Sequence, residues 1–303
     1  MTARTVLNYK RAICYSGFRD GQSPDAGIFP TKDQIASDLR LLQADWDALR
    51  LYACDLHAEH VLAVIEEQGF QFKVMLGAYI AAEVSNPHCP WGGEHTAKVL
   101  AANKQRNQQE IERAVALANR YPDIVDVVSA GNEATVDWTD HLVSPEAVTA
   151  YVAYLQQRIT QPVTFCENYV PWLEKLSGLA EQVDVIAIHS YPVWEYKTID
   201  EALAYTQANY AAVCDKHPGK QVIITEAGWA TASNGRGIPP ENVGEFHQKQ
   251  YLDQLYQWAA EEQILIYVFE AFDENWKGSD HPLEPEKHWG LYRANRQPKL
   301  AMA

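Results

Sequence analysis

Eight short apolar, β-branched runs recur along the whole chain and constrain its fold more than any other feature. They are Ala12–Phe18, Ala48–Ala53, Lys73–Ile80, Val125–Gly131, Pro162–Cys166, Val183–His189, Gln221–Thr225 and Ile264–Phe269. Each is apolar without alternation, the pattern of a strand buried on both faces and hence of a parallel sheet. Parallel neighbours need long crossovers, and the intervals read as helices that supply them. Thr31 stands as an N-cap ahead of Ile35, Leu39, Leu42 and Trp46, which mark one helical face. The run His57–Gln68 stops at Gly69 as a helix does before a left-handed residue. Ala97–Arg120, a Ser144-capped segment to about Arg158, Pro171–Gln182, Ile199–Lys216 and Asn242–Glu262 complete the set, while prolines break up the tail. Eight such units without linker or repeat point to one (β/α)8 TIM barrel over residues 1–303, with 1–10 as a short N-terminal extension. The alternative, an open doubly wound sheet, normally shows G-x-G-x-x-G after its first strand. Here that position reads Tyr15-Ser-Gly-Phe-Arg-Asp-Gly-Gln22.

A barrel collects its chemistry where the strands end, at their C-terminal mouths. Arg50 and Tyr52 end the second strand, and Asn132-Glu133 the fourth. Glu167 and then Trp172 follow the fifth. His189, Tyr191, Trp194 and Glu195 follow the sixth, and Glu226-Ala-Gly-Trp229 the seventh. Glu270, Glu274, Trp276 and Lys277 follow the eighth. Glutamates on strands four and seven face each other across a barrel mouth. Two carboxyl groups about 5 Å apart are what cleavage of a glycosidic bond with retention requires. One must stay protonated while the other is ionised. Arg50 is placed to hold a glutamate ionised and Tyr191 to donate to it. Asn132 is placed to hold a substrate hydroxyl. Each has a plainer reading: Asn-Glu as a helix cap, Arg50 as a partner of Asp47 or Asp55, His189 as a satisfied histidine at the barrel top. Their joint occurrence at strand ends favours catalysis.

Composition narrows the partners. The net charge of −15 disfavours nucleic acid and anionic membrane surfaces. Nine Trp and 16 Tyr suit sugar rings, which are apolar on their faces and polar at their rims. The five cysteines show no C-x-x-C pair, and the ten histidines no H-x-x-x-H pair, so neither disulfide framework nor metal nor cofactor is expected. No secretory leader is visible in the first twenty residues, and no apolar run approaches about 18 residues. A monomer is expected; localisation is left open.

At these residues the chain resembles glycoside hydrolase family 17. The matching pieces are Arg50-Leu-Tyr52, Ser129-Ala-Gly-Asn-Glu133, Ile224-Thr-Glu-Ala-Gly-Trp229, Phe269-Glu-Ala-Phe-Asp-Glu-Asn-Trp-Lys277 and His288-Trp-Gly-Leu-Tyr292 with Pro298-Lys299. The resemblance implies Glu133 as acid/base and Glu226 as nucleophile. It implies Tyr52 beside the reacting sugar and Glu274 with Lys277 as a charged pair near it. It implies a β-1,3-glucan or its oligosaccharides as substrate, cleaved by water or transferred to another glucan. The run Ser16–Pro24 looks more like the bacterial branch. Trp172, Trp194, Trp229 and Trp276 are then expected to stack on glucose rings, with Trp46, Trp138 and Trp258 left for packing. Arg19 and Asp20, with Gln22, are expected to close one end of the cleft, and Gly228 to leave room for a sugar. Other readings are a non-catalytic glucan-binding barrel and cleavage of β-1,4-glucan or mannan.

Overall fold

A computed structural model describes residues 6–303. Eight parallel strands close into a barrel in sequence order: β1 (Arg11–Cys14), β2 (Ala48–Leu51), β3 (Lys73–Gly77), β4 (Val125–Asn132), β5 (Val163–Asn168), β6 (Ile186–His189), β7 (Val222–Ala227) and β8 (Ile266–Val268), with β8 paired to β1. All eight expected strands are present, and their bodies are buried on both faces, as the unbroken apolar runs require. Their ends differ from expectation in a way that matters. β4, β5 and β7 run one or two residues further, so Asn132, Glu167 and Glu226 are strand residues and not the first residues of loops. The strand backbone then fixes these side chains.

The crossovers are α1 (Lys32–Leu42), α2 (Leu56–Gln68), α3 (Ala97–Arg120), α4 (Pro145–Gln156), α5 (Tyr169–Glu174), α6 (Ser177–Gln182), α7 (Ile199–Lys216) and α8 (Glu245–Glu262). Thr31 caps α1 through a reciprocal pair with Gln34, and Ser144 caps α4 with Pro145 at its first position. Gly69 ends α2 at φ 71°. The segment expected as one helix over 171–182 is two, broken at Lys175 and Leu176.

Among the described residues no α-helix follows β8, only two short 3-10 turns at Pro285–Lys287 and Leu300–Met302. A tail instead returns along the barrel mouth, where Tyr292 bridges both Phe272 and Pro298. Lys299 anchors the tail from a buried position, its Nζ donating to Asp273 Oδ1 at 2.6 Å and to Thr231 Oγ1 at 2.7 Å. At the other end, the Leu7 backbone exchanges two hydrogen bonds with the Gln221 side chain, tying the entering chain to the start of β7. The first five residues of the expected extension lie outside the described residues. No described helix is long and apolar enough to cross a membrane.

Candidate active site

Glu226 sits inside β7 and Glu133 one residue past β4. Glu133 has φ 45°, a left-handed conformation that costs a non-glycine residue roughly 1–3 kcal/mol and is usually kept where it aims a functional group. A carboxylate oxygen of Glu133, one of Glu226 and a ring nitrogen of His189 all lie within 4.8 Å of one another. His189, fully buried at the end of β6, bridges the pair: its Nδ1 is 2.8 Å from Glu133 Oε1 and 3.5 Å from Glu226 Oε2.

Three further neighbours of Glu226 favour its ionised form. Arg50 Nη1 meets Oε1 at 2.6 Å, Tyr52 OH donates to the same oxygen at 3.0 Å, and Tyr191 OH donates to Oε2 at 2.6 Å. Burial pushes the Glu226 carboxyl up, but the charges of His189 and Arg50 and the Tyr191 and Arg50 hydrogen bonds overcome it. The group is held well below the usual carboxylate range. The same carboxylates act back on His189: burial lowers its pKa, and the charge of Glu226 with the bonds to Cys166 and Glu133 lifts it to about 10. Arg50 reaches further, donating to the Thr225 carbonyl at 2.9 Å and to Asn132 Oδ1. That leaves the Asn132 Nδ2 donors to face the cleft. The three-residue cluster has the donors for a metal ion. However, a cation bound to Glu226 would stand beside the Arg50 guanidinium, so the donor set fits a carboxylate pair better.

A second charged group borders the first. Lys277 Nζ lies 3.0 Å from Glu270 Oε2 and 2.5 Å from Glu274 Oε2. Glu274 also accepts from Ser16 Oγ and, at 2.9 Å, from Trp276 Nε1. Glu270 is buried beneath, and burial with the neighbouring Glu274 pushes its pKa up against the pull of Lys277.

A cleft of about 1600 Å³ lies over these residues. Of the residues expected at the site, Tyr52, Asn132, Glu133, Tyr191, Trp194, Glu195, Glu226, Glu274, Trp276 and Lys277 line it. Arg50 and His189 lie just below and contact the glutamates. Several expectations need correction. Trp172 and Trp229 are fully buried and do not reach the cleft. Trp172 donates to the Ala187 carbonyl and packs on Phe165, and Trp229 donates to the Asn242 carbonyl and packs on Tyr251. Both rings fill the layer between strands and helices. Glu167 is also enclosed: it accepts from Thr135 N and Oγ1 and from Asn168 N, and so shapes the loop that carries Glu133. Burial and the charge of Glu133 raise its pKa to about 7.

Arg19 turns away from the cleft to pair with Asp38 at 2.8 Å, and Asp20 accepts from Asn275 at the surface. At Gly228 an added Cβ would stand 2.1 Å from the Phe269 carbonyl, so this glycine serves strand contact and not sugar access. Trp138, expected to pack, is exposed and lines the cleft. Trp289 also lines it, wedged against Tyr191 at 5.0 Å and Trp194 at 6.2 Å, and was not assigned a role from sequence. Trp194 is seated by Gly237, where any Cβ would strike its ring at 2.4 Å. Glu286 is another lining group that sequence reasoning missed; burial raises its pKa to about 7 against the charge of Lys277. Its position just ahead of the His288–Tyr292 motif was the available signal.

Residues 12–290 match the BtgE/BtgC glycoside hydrolase domain. The chain belongs to this family. Among relatives, the cell surface mannoprotein MP65 of Candida albicans is 24% identical over 93% of this chain and 66% of its own length. A glucan 1,3-beta-glucosidase of Arthroderma benhamiae is 25% identical over 93% and 86%. Among solved structures, an endo-laminarinase from Formosa Hel1_33_131 superposes with a TM-score of 0.81 at 26% identity, covering 96% of this chain and 85% of that one. A glycoside hydrolase family 17 beta-1,3-glucanosyltransferase from Rhizomucor miehei gives 0.73 at 20% identity over 96% of each chain, a likeness of fold. With the family and the glutamate pair both in place, this BtgE/BtgC-type barrel is an enzyme acting on glycosidic bonds.

Proposed function

We propose that the protein cleaves β-1,3-glucan chains or oligosaccharides with retention, using Glu226 as nucleophile and Glu133 as acid/base. The separation of the two carboxyl groups, within 4.8 Å, carries this reading. Inverting enzymes need roughly 6.5–9.5 Å to admit a water. The asymmetry between the two glutamates supports this division of roles. Glu226 accepts three hydrogen bonds from Arg50, Tyr52 and Tyr191 and is kept ionised, as a nucleophile must be. Glu133 has one such neighbour, His189, and its other face is open to the cleft.

Glu226 attacks the anomeric carbon as the bond to the leaving oxygen breaks and Glu133 hands that oxygen its proton. Glu133 then takes a proton from water, whose oxygen displaces Glu226 from the sugar. Asn132 Nδ2 holds the hydroxyl beside the reacting carbon. Glu274, Lys277 and Glu195 bind further hydroxyls, and Trp194 and Trp276 stack on the apolar faces of sugar rings. The β-1,3 linkage is supported by the endo-laminarinase likeness and by the glucan-active relatives. A sugar hydroxyl in place of water would make the enzyme a glucanosyltransferase. The aromatic walls that extend the cleft beyond the glutamate pair favour this second outcome, because they can hold an acceptor chain. Placement in family 17 is part of the proposal. So is its bacterial branch, which rests on the Ser16–Pro24 run and stands beside relatives that are fungal. A monomeric state belongs to the proposal as well.

The test is turnover of laminari-oligosaccharides by Glu226→Gln. The expected outcome is loss of turnover with binding retained, whereas activity near that of the parent overturns the assignment. Mass spectrometry of parent products separates the two outcomes, since chains longer than the starting oligosaccharide arise only by transfer. A parallel panel of β-1,4-glucans and mannans should give no comparable rate.

A further inference from the structure

Trp91 and Trp138 are the two most exposed tryptophans, at 55% and 41%. They come from different loops, after β3 and β4, yet their ring centroids are 6.1 Å apart. The two loops are stapled together. Buried Asn86 donates from Nδ2 to the carbonyls of Asp137 and Thr139, on either side of Trp138, at 2.8 and 2.7 Å. Glu83 N and Val84 N both donate to the Leu142 carbonyl at 3.0 Å. Gly93, at φ 137°, closes the loop of Trp91 so tightly that a Cβ would lie 2.9 Å from the Asn86 carbonyl.

Two indoles are therefore held side by side in water by a rigid frame. Simple packing does not explain this, because a packing pair would be covered. Both rings line the cleft that contains Glu133 and Glu226. Tyr79 lines the same wall. Its N–H is fixed by Glu110 at 3.1 Å and its ring lies 5.6 Å from that of His141, which contacts the Asn132 carbonyl at 2.9 Å. Aromatic surface thus belongs to the wall on which the acid stands. The cleft volume of about 1600 Å³ exceeds the roughly 300–1,000 Å³ of a site for one small ligand and suits several linked rings.

We propose that Trp91 and Trp138 form a distal subsite that stacks on the apolar face of a glucose ring further along the bound chain, so that this end of the cleft measures chain length. The inference rests on the glucan reading of the site given above. Its test compares laminaritriose with laminarihexaose. Trp91→Ala, Trp138→Ala and Trp138→Leu are each made in the parent for kinetics and in Glu226→Gln for calorimetric binding. Trp138→Leu keeps apolar volume for packing but has no flat face.

All three variants should fold, as read by thermal melting. All three should lose about tenfold in hexaose affinity, the order of one lost ring contact, and the hexaose-to-triose ratio of kcat/KM should fall with it. An unchanged ratio, equal losses on both substrates, or full preference in Trp138→Leu overturns the subsite. If Glu226→Gln binds the hexaose and the Trp variants bind it equally well, the subsite alone falls. If Glu226→Gln binds neither oligosaccharide and the parent cleaves neither, the glucan reading falls and the subsite with it.

Discussion

Tyr191 donates to Glu226 Oε2 at 2.6 Å, and Arg50 holds the other oxygen. Removing either donor raises the Glu226 pKa, so the acid limb of the kcat/KM profile, which in the proposed mechanism reports ionisation of Glu226, moves to higher pH. Tyr191→Phe is nearly isosteric and should shift that limb upward by about one unit. Arg50→Met should shift it further, and should destabilise the fold by about 3–5 kcal/mol because a buried carboxylate loses its partner. The sign of the stability effect follows from the depressed pKa. The contribution of Glu226 is present above its unfolded value near 4.5 and is lost as pH falls through the lower folded value. His189→Asn should move the acid limb in the same direction, since the histidine charge also favours the anion. A limb that stays in place in all three profiles would mean that another group controls it. Both glutamates were legible in the sequence because strand ends could be located and their carboxylates had no apolar use. Trp172 and Trp229 misled because a position after a strand does not say whether a ring turns up into the cleft or outward beneath a helix. Trp289 was missed because the tail that carries it has no periodicity to place it.

At the scale of elements, helices were legible wherever a cap and a periodic face coincided, as at Thr31 and Ser144. The loops were less so, because their geometry is set by partners far away in sequence. Asp38 shows this best. It lies on the buried face of α1, three residues after Ile35 and beside Leu39, a position where a carboxylate needs partners. Arg19 from the loop after β1 and Arg296 from the tail both pair with it at 2.8 Å, and Tyr15 OH donates to it at 3.1 Å. This clamp ties α1, the first loop and the tail together, which is why Arg19 is drawn away from the cleft. Asp38→Ala leaves two partly buried guanidinium groups unpaired. It should cost about 3–5 kcal/mol, a fall in melting temperature on the order of 10 °C in a calorimetric scan. A melting temperature within about 2 °C of the parent would show that the arginines find other partners.

Closing eight strands into one barrel brings residues 176 positions apart, Arg50 and Glu226, to 2.6 Å, and no local pattern encodes that distance. What the sequence carried at this scale was the count of strands and the order of their ends. The same scale governs the response to salt. The chain has a net charge of −15, yet Arg106, Arg113 and Arg236 line the cleft. Arg113 is engaged by Glu110 at 2.5 Å and Arg236 by Glu284 at 3.1 Å, so two of the three are already partly neutralised. A neutral glucan carries no charge for either field to act on. Its KM should therefore change by less than about twofold between about 20 and 500 mM NaCl, a range over which the screening length falls from roughly 20 Å to below 5 Å. Initial rates on laminarin across that range are the measurement. A rise in KM of about tenfold with salt would instead identify an anionic substrate. Charge reversal at Arg106, the cleft arginine at the surface of α3, should then weaken binding further.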